Sequence, residues 1–130
     1  MSQAKVLSEQ ELKRVLAVVA TMAHSKRNKL LVLLSFQAGM RAGEISNLKI
    51  GHVVNADGSV CDRIHLQNGQ TKGEKQRTVI LSQSLQKEIL KFVSSLTGFR
   101  RNADQPLIMS QKGGSFSPTT MVMLFRRIYD

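Results

Sequence analysis

An unbroken apolar run, Leu30-Leu31-Val32-Leu33-Leu34, leads through Gln37-Ala38 to Gly39, and Arg41 and Glu44 follow directly. A helix with no polar stripe through its middle has to be covered on all sides, so residues 26–38 are read as a central buried helix with a basic entrance at Lys26, Arg27 and Lys29. Gly39 ends it, because glycine takes up the left-handed backbone that closes a helix without steric cost. A new short helix over 43–48 then sets Arg41 at its start, where helix termini gather unpaired amides and partial positive charge. A guanidinium there is a planar fork that matches two phosphate oxygens. Glu44 lies one turn on, and taken alone the string also reads as a helix cap followed by a surface ion pair between Arg41 and Glu44.

The rest of the chain has to cover that helix. Ser8 with Glu11 forms a capping box ahead of Leu12, Val15, Leu16, Val19 and Met22, whose spacing of three and four predicts a first amphipathic helix. Val53-Val54, the turn 55–58 and the alternating run 63–67 predict two strands, and 78–81 predicts a third. Ser82 or Ser84 caps a helix with the face Leu85, Ile89, Phe92, Val93 and Leu96, stopped by Gly98. Ser117-Pro118 opens the last helix, since proline suits a first helical position. The expected fold is α+β, mainly helical, with a small three-stranded antiparallel sheet, in one domain over 1–130.

Charge narrows the partner. The net charge is +10, from 19 Lys and Arg against 9 Asp and Glu, which implies a polyanion, nucleic acid ahead of an acidic membrane surface. The basic residues lie in segments of ordinary hydrophobicity and so do not form a disordered tail. Aromatics make up 5% of the chain and tryptophan is absent, so stacking on single-stranded bases is poorly supported and phosphate contact with duplex DNA is favoured. A lone cysteine, Cys61, makes no internal disulfide. His24, His52 and His65 fit no ligand spacing, so no metal is expected. The apolar runs are too short to span a bilayer, and a cytoplasmic protein without a membrane partner is expected.

The Arg41 string is joined by a second, Gln70-Thr71-Lys72-Gly73-Glu74-Lys75-Gln76-Arg77-Thr78-Val79-Ile80-Leu81, running from a polar turn into a strand. Together they resemble the catalytic domain of the tyrosine recombinases, the phage integrase family. Its first box reads Thr-Gly-x-Arg-x-x-Glu-(Leu/Ile)-x-x-Leu, and its hairpin reads approximately Lys-Gly-x-Lys-x-Arg-x-Val-Pro-Leu. This chain departs at Ala38 for the threonine, His52 for the usual aspartate after the box and Ile80 for the proline. Residues 106–117 are similar to the loop before the family's second box. Beyond the hairpin no His-x-x-Arg follows, nor any segment for the nucleophilic tyrosine, so the chain is read as the truncated front half of a catalytic domain.

Metal-free phosphodiester cleavage needs the nonbridging oxygens neutralised, the leaving oxygen protonated and a nucleophile in line. The resemblance implies that Arg41 clamps the phosphate, Lys72 protonates the leaving 5′ oxygen from the hairpin tip and Glu44 orients the site, with Lys75 an alternative to Lys72. Arg41, Lys72, Lys75 and Arg77 would bind DNA. Further basic groups lie at Arg100-Arg101 and Arg126-Arg127. Tyr129, the only tyrosine, is read as a packing residue of the last helix rather than a nucleophile. Two functions follow: a DNA-binding recombination protein unable to cleave alone, or a regulatory protein that pairs with a full-length recombinase. Lacking the later helices, the chain is expected to leave the faces of 30–34 or 121–128 partly uncovered and to self-associate.

Overall fold

The computed structural model describes residues 8–66, 77–96, 102–110, 114 and 116–129. Its elements run α1 (Glu9–Ala20), α2 (Ser25–Phe36), α3 (Ala42–Ser46), α4 (Ile50–Val53), β1 (Arg63–Leu66), β2 (Arg77–Ile80), α5 (Gln83–Ser94) and α6 (Pro118–Tyr129). The helix starts follow local chemistry. Ser8 Oγ accepts the Glu11 N–H at 3.1 Å while Glu11 Oε1 accepts the Ser8 N–H at 3.0 Å, the reciprocal capping box. Ser82, rather than Ser84, caps α5 by accepting the Leu85 N–H at 3.1 Å, and Ser117 caps α6 by accepting the Thr120 N–H at 3.1 Å. Gly98 lies outside the described residues.

Helix α2 is the centre of the molecule. Leu30, Leu31, Val32, Leu33 and Leu34 are all buried, together with Asn28 and Ser35, and α1, α5 and α3 pack against the helix. Helix α5 buries Leu85, Ile89 and Val93 at a spacing of four, one stripe on one face. Helix α6 lies across α3 and α1 and buries Met121, Leu124 and Ile128. The expected exposure of 30–34 is therefore corrected: the elements within this chain cover that face. What stays open on α6 is the flank of Val122, 41% exposed, and Met123, 58% exposed.

The sheet also differs from expectation, with two antiparallel strands rather than three among the described residues. Arg63 pairs with Ile80, Ile64 with Val79, His65 with Thr78 and Leu66 with Arg77. Ile64 and Val79 face the core, and His65 and Thr78 face out, with His65 Nδ1 and Thr78 Oγ1 3.3 Å apart. The missing strand is the one expected at Val53-Val54. Val53 instead closes α4, and Val54 makes only an isolated bridge to Val60. The physical reason is local: Val54 gives its N–H to Ile50 O at 2.9 Å, the closing bond of α4, and Val53 O accepts the Cys61 N–H at 2.8 Å. Gln105 O and Ala103 O accept the N–H groups of Ile50 and Gly51, each at 2.9 Å, and Leu48 O accepts the Leu107 N–H at 2.9 Å. Leu107, Ile108 and Met109 are drawn into the core behind this seam. Gly51 permits the close approach, since a Cβ there would stand 3.1 Å from Ala103 O.

Candidate functional site

The turn from α2 to α3 is built by Gly39. With φ at +67°, Gly39 gives its N–H to Ser35 O at 3.1 Å, and Met40 gives its own to Leu34 O at 3.2 Å, so the last carbonyls of α2 are satisfied as the chain reverses. Met40, Ile45 and Leu48 are buried and fix the turn to the core. Arg41 occupies the position before α3 with extended backbone, φ −81° and ψ 157°, and is exposed. Its backbone N–H donates to Glu44 Oε1 at 2.9 Å. Among the described residues nothing accepts from its guanidinium.

Glu44 does not form the ion pair with Arg41 that the spacing suggests. Its Oε2 lies 3.4 Å from Nη1 of Arg77, and its side chain is only 13% exposed. Arg77, at the start of β2, also donates from Nη2 to Gly39 O at 2.8 Å. The first motif and the end of the second thus meet through one carboxylate and one guanidinium. Lys72 and Lys75 lie outside the described residues, as do Arg100 and Arg101. Helix α3 has five residues, so its macrodipole is small.

Arg27, grouped in the sequence with Lys26 and Lys29, is not a surface cation. Its Nε and Nη2 donate to Asn28 Oδ1 at 3.0 and 2.8 Å, and its Nη1 donates to Met109 O at 3.1 Å. Its guanidinium stands 5.2 Å from the centre of the Phe116 ring. Burial, and then the nearby charge of Arg127, lower its pKa. The string His24-Ser25-Lys26-Arg27 has the letters of a His-x-x-Arg box, but these contacts commit its arginine to holding α2 against the segment before α6. Lys29 pairs with Glu88 at 3.4 Å, across to α5.

Tyr129 is half-buried and stacked on Phe125, with ring centres 5.8 Å apart. Burial pushes its phenol pKa up, against an opposing hydrogen bond with the Ser35 side chain. Burial likewise raises the Cys61 thiol, whose Sγ donates to His52 O at 3.4 Å. His52 itself caps α4, its Nδ1 accepting the Lys49 N–H at 2.9 Å, which is an acceptor role open equally to an aspartate. Among the described residues no group of three His, Cys, Asp or Glu is placed to hold a metal ion. No helix among them is long and apolar enough to cross a membrane.

A buried central helix, an exposed arginine on the turn after it and a hairpin tied back to that turn define part of a tyrosine recombinase catalytic domain. The chain belongs to the phage integrase family, whose model matches residues 5–130. It is 32% identical over 127 residues to the tyrosine recombinase XerA of Pyrococcus horikoshii, an alignment covering 95% of this chain and 39% of that protein. Transposase A from transposon Tn554 of Staphylococcus aureus is 27% identical over 86 residues, covering 64% of this chain and 23% of the transposase. The crystal structure of XerA recombinase superposes with a TM-score of 0.68 at 25% identity, over 98% of this chain and 42% of that one. The chain therefore spans less than half the length of these relatives.

Proposed function

We propose that these 130 residues bind duplex DNA through its phosphates, as part of the recombination or integration chemistry of the family. The observation that carries this is the Arg41 guanidinium, exposed and without a protein acceptor among the described residues, in a chain of net charge +10. In this reading Arg41 neutralises the nonbridging oxygens of one phosphate, and Glu44 acts from behind it by holding the Arg41 backbone. Lys72 protonates the leaving 5′ oxygen, with Lys75 as further phosphate contact. The 130 residues contain no histidine beyond His65, so they lack the family's second box and do not complete strand cleavage by themselves. No cofactor enters, because the family's phosphotyrosyl intermediate conserves the bond energy.

Salt titration tests the reading. Six neutralised phosphates predict an affinity loss of roughly 10³-fold between about 50 and 200 mM salt, and Arg41→Ala should weaken binding and flatten that slope. Affinity unchanged over the range would refute phosphate-driven binding. A second reading, a regulatory protein that pairs with itself or with a full-length recombinase, is supported by the open Val122 and Met123 flank of α6. Salt-insensitive co-purification of a recombinase without DNA, lost in Met123→Glu, would favour it.

A further inference from the structure

The geometry points to Arg77 as a positioning residue for Arg41, not as one more phosphate contact. This inference rests on the DNA-binding reading of Arg41. Arg77 is 34% exposed in its side chain, and its two terminal nitrogens are directed back into the protein. Nη2 donates to Gly39 O at 2.8 Å, and Nη1 meets Glu44 Oε2 at 3.4 Å. Both acceptors flank Arg41. Gly39 sets the path of the turn through its positive φ, and Glu44 Oε1 holds the Arg41 N–H at 2.9 Å. One planar fork therefore fixes the carbonyl two residues before Arg41 and the carboxylate three residues after it.

The same fork ties together the two motifs. Arg77 pairs with Leu66 at the end of the β1–β2 ladder, immediately after the segment that carries Lys72 and Lys75. Through Arg77 that end of the ladder is anchored to the Gly39 turn. A lysine at 77 would keep the charge but not the function, because a single ammonium lacks the two separate, rigidly spaced donors that reach Gly39 O and Glu44 Oε2 together.

The test is a double-mutant cycle in DNA affinity, measured by fluorescence anisotropy on a short duplex across a salt series, with circular dichroism to check folding. Arg77→Ala is expected to weaken binding by roughly tenfold, comparable with Arg41→Ala, as for loss of one charge-assisted contact. In the Arg41→Ala background, Arg77→Ala should change affinity by less than about twofold and leave the salt slope alone. Arg77→Lys should fail to restore binding. Additive losses, with the slope falling by about 0.9 for each arginine removed and with rescue by lysine, would show that Arg77 contacts phosphate itself and overturn the proposal. A readout without DNA separates the two claims: Arg77→Ala, and the milder Arg77→Gln, should speed exchange of the Arg41 amide proton. Unchanged protection would overturn the coupling even if wild-type DNA binding is steeply salt-dependent. Faster exchange in a protein that shows no such binding would instead sink the DNA reading, and with it the role given to Arg77.

Discussion

The Arg27 guanidinium stands over the Phe116 ring at 5.2 Å while donating to Met109 O at 3.1 Å. One side chain at the start of α2 thereby holds two points of the 109–116 segment, and its remaining bonds satisfy Oδ1 of Asn28, a residue only 1% exposed. Removing it leaves a buried amide oxygen short of donors and an aromatic face uncovered. Arg27→Ala should cost about 2–3 kcal/mol of stability by urea denaturation, from the lost charged hydrogen bonds and cation–π contact. A loss within ordinary surface-substitution scatter would show that the Arg27 contacts carry little of the fold.

His52 stands where the family pattern has an aspartate, and its Nδ1 accepts the Lys49 N–H at 2.9 Å. His52→Asp supplies another acceptor and should leave the melting temperature nearly unchanged. His52→Leu removes the acceptor and should destabilise by about 1 kcal/mol, the usual worth of a helix cap. Equal stability of the two variants would show that the bond contributes nothing.

Tyr129 gives a direct spectroscopic check on packing, since it is the only tyrosine and no tryptophan overlaps it. Burial holds its proton on more tightly in the native state. The phenolate absorbance of the folded protein should therefore appear at higher pH than in urea, where the side chain titrates near about 10. Between those two values the unfolded chain binds fewer protons than the native state, so stability falls as pH rises through that window. Tyr129→Phe should lose that component of the alkaline decline. Coincident titrations in the two states would place Tyr129 in solvent.

The same burial bears on chemistry. A nucleophilic tyrosine needs its oxygen free to reach phosphorus, whereas Tyr129 is half-buried and stacked on Phe125. Incubation with nicked duplexes should give no covalent protein–DNA adduct on a denaturing gel. An adduct abolished by Tyr129→Phe would assign it the nucleophile's role.

The sequence determined those features whose causes lie within a few residues. Ser8 with Glu11, Ser82 with Leu85, and Ser117 with Thr120 are contacts across three positions, so the starts of α1 and α6 were legible and that of α5 was narrowed to Ser82 or Ser84. The apolar run 30–34 likewise demanded burial, and Gly39 demanded a turn. Arg41 and Glu44 were visible as a motif for the same reason.

Tertiary structure decided the contacts that local spacing misassigns. Val53-Val54 has strand-forming residues, yet Val53 ends α4, whose first N–H groups, of Ile50 and Gly51, are held by the 102–110 segment, and the Val54 N–H is committed to Ile50 O at 2.9 Å rather than to a sheet. Glu44 has Arg41 one turn away, but Arg77, from far along the chain, takes the carboxylate, because the β2 backbone and the left-handed Gly39 turn bring the fork to it. Arg27 reads as one of three basic surface residues, and only the arrival of Met109 and Phe116 makes it a half-buried tie between segments. Spacing along a helix ranks the neighbours of a charge, but the acceptor that wins is the one the packed backbone holds at hydrogen-bond distance, and that distance is set by residues far away in sequence.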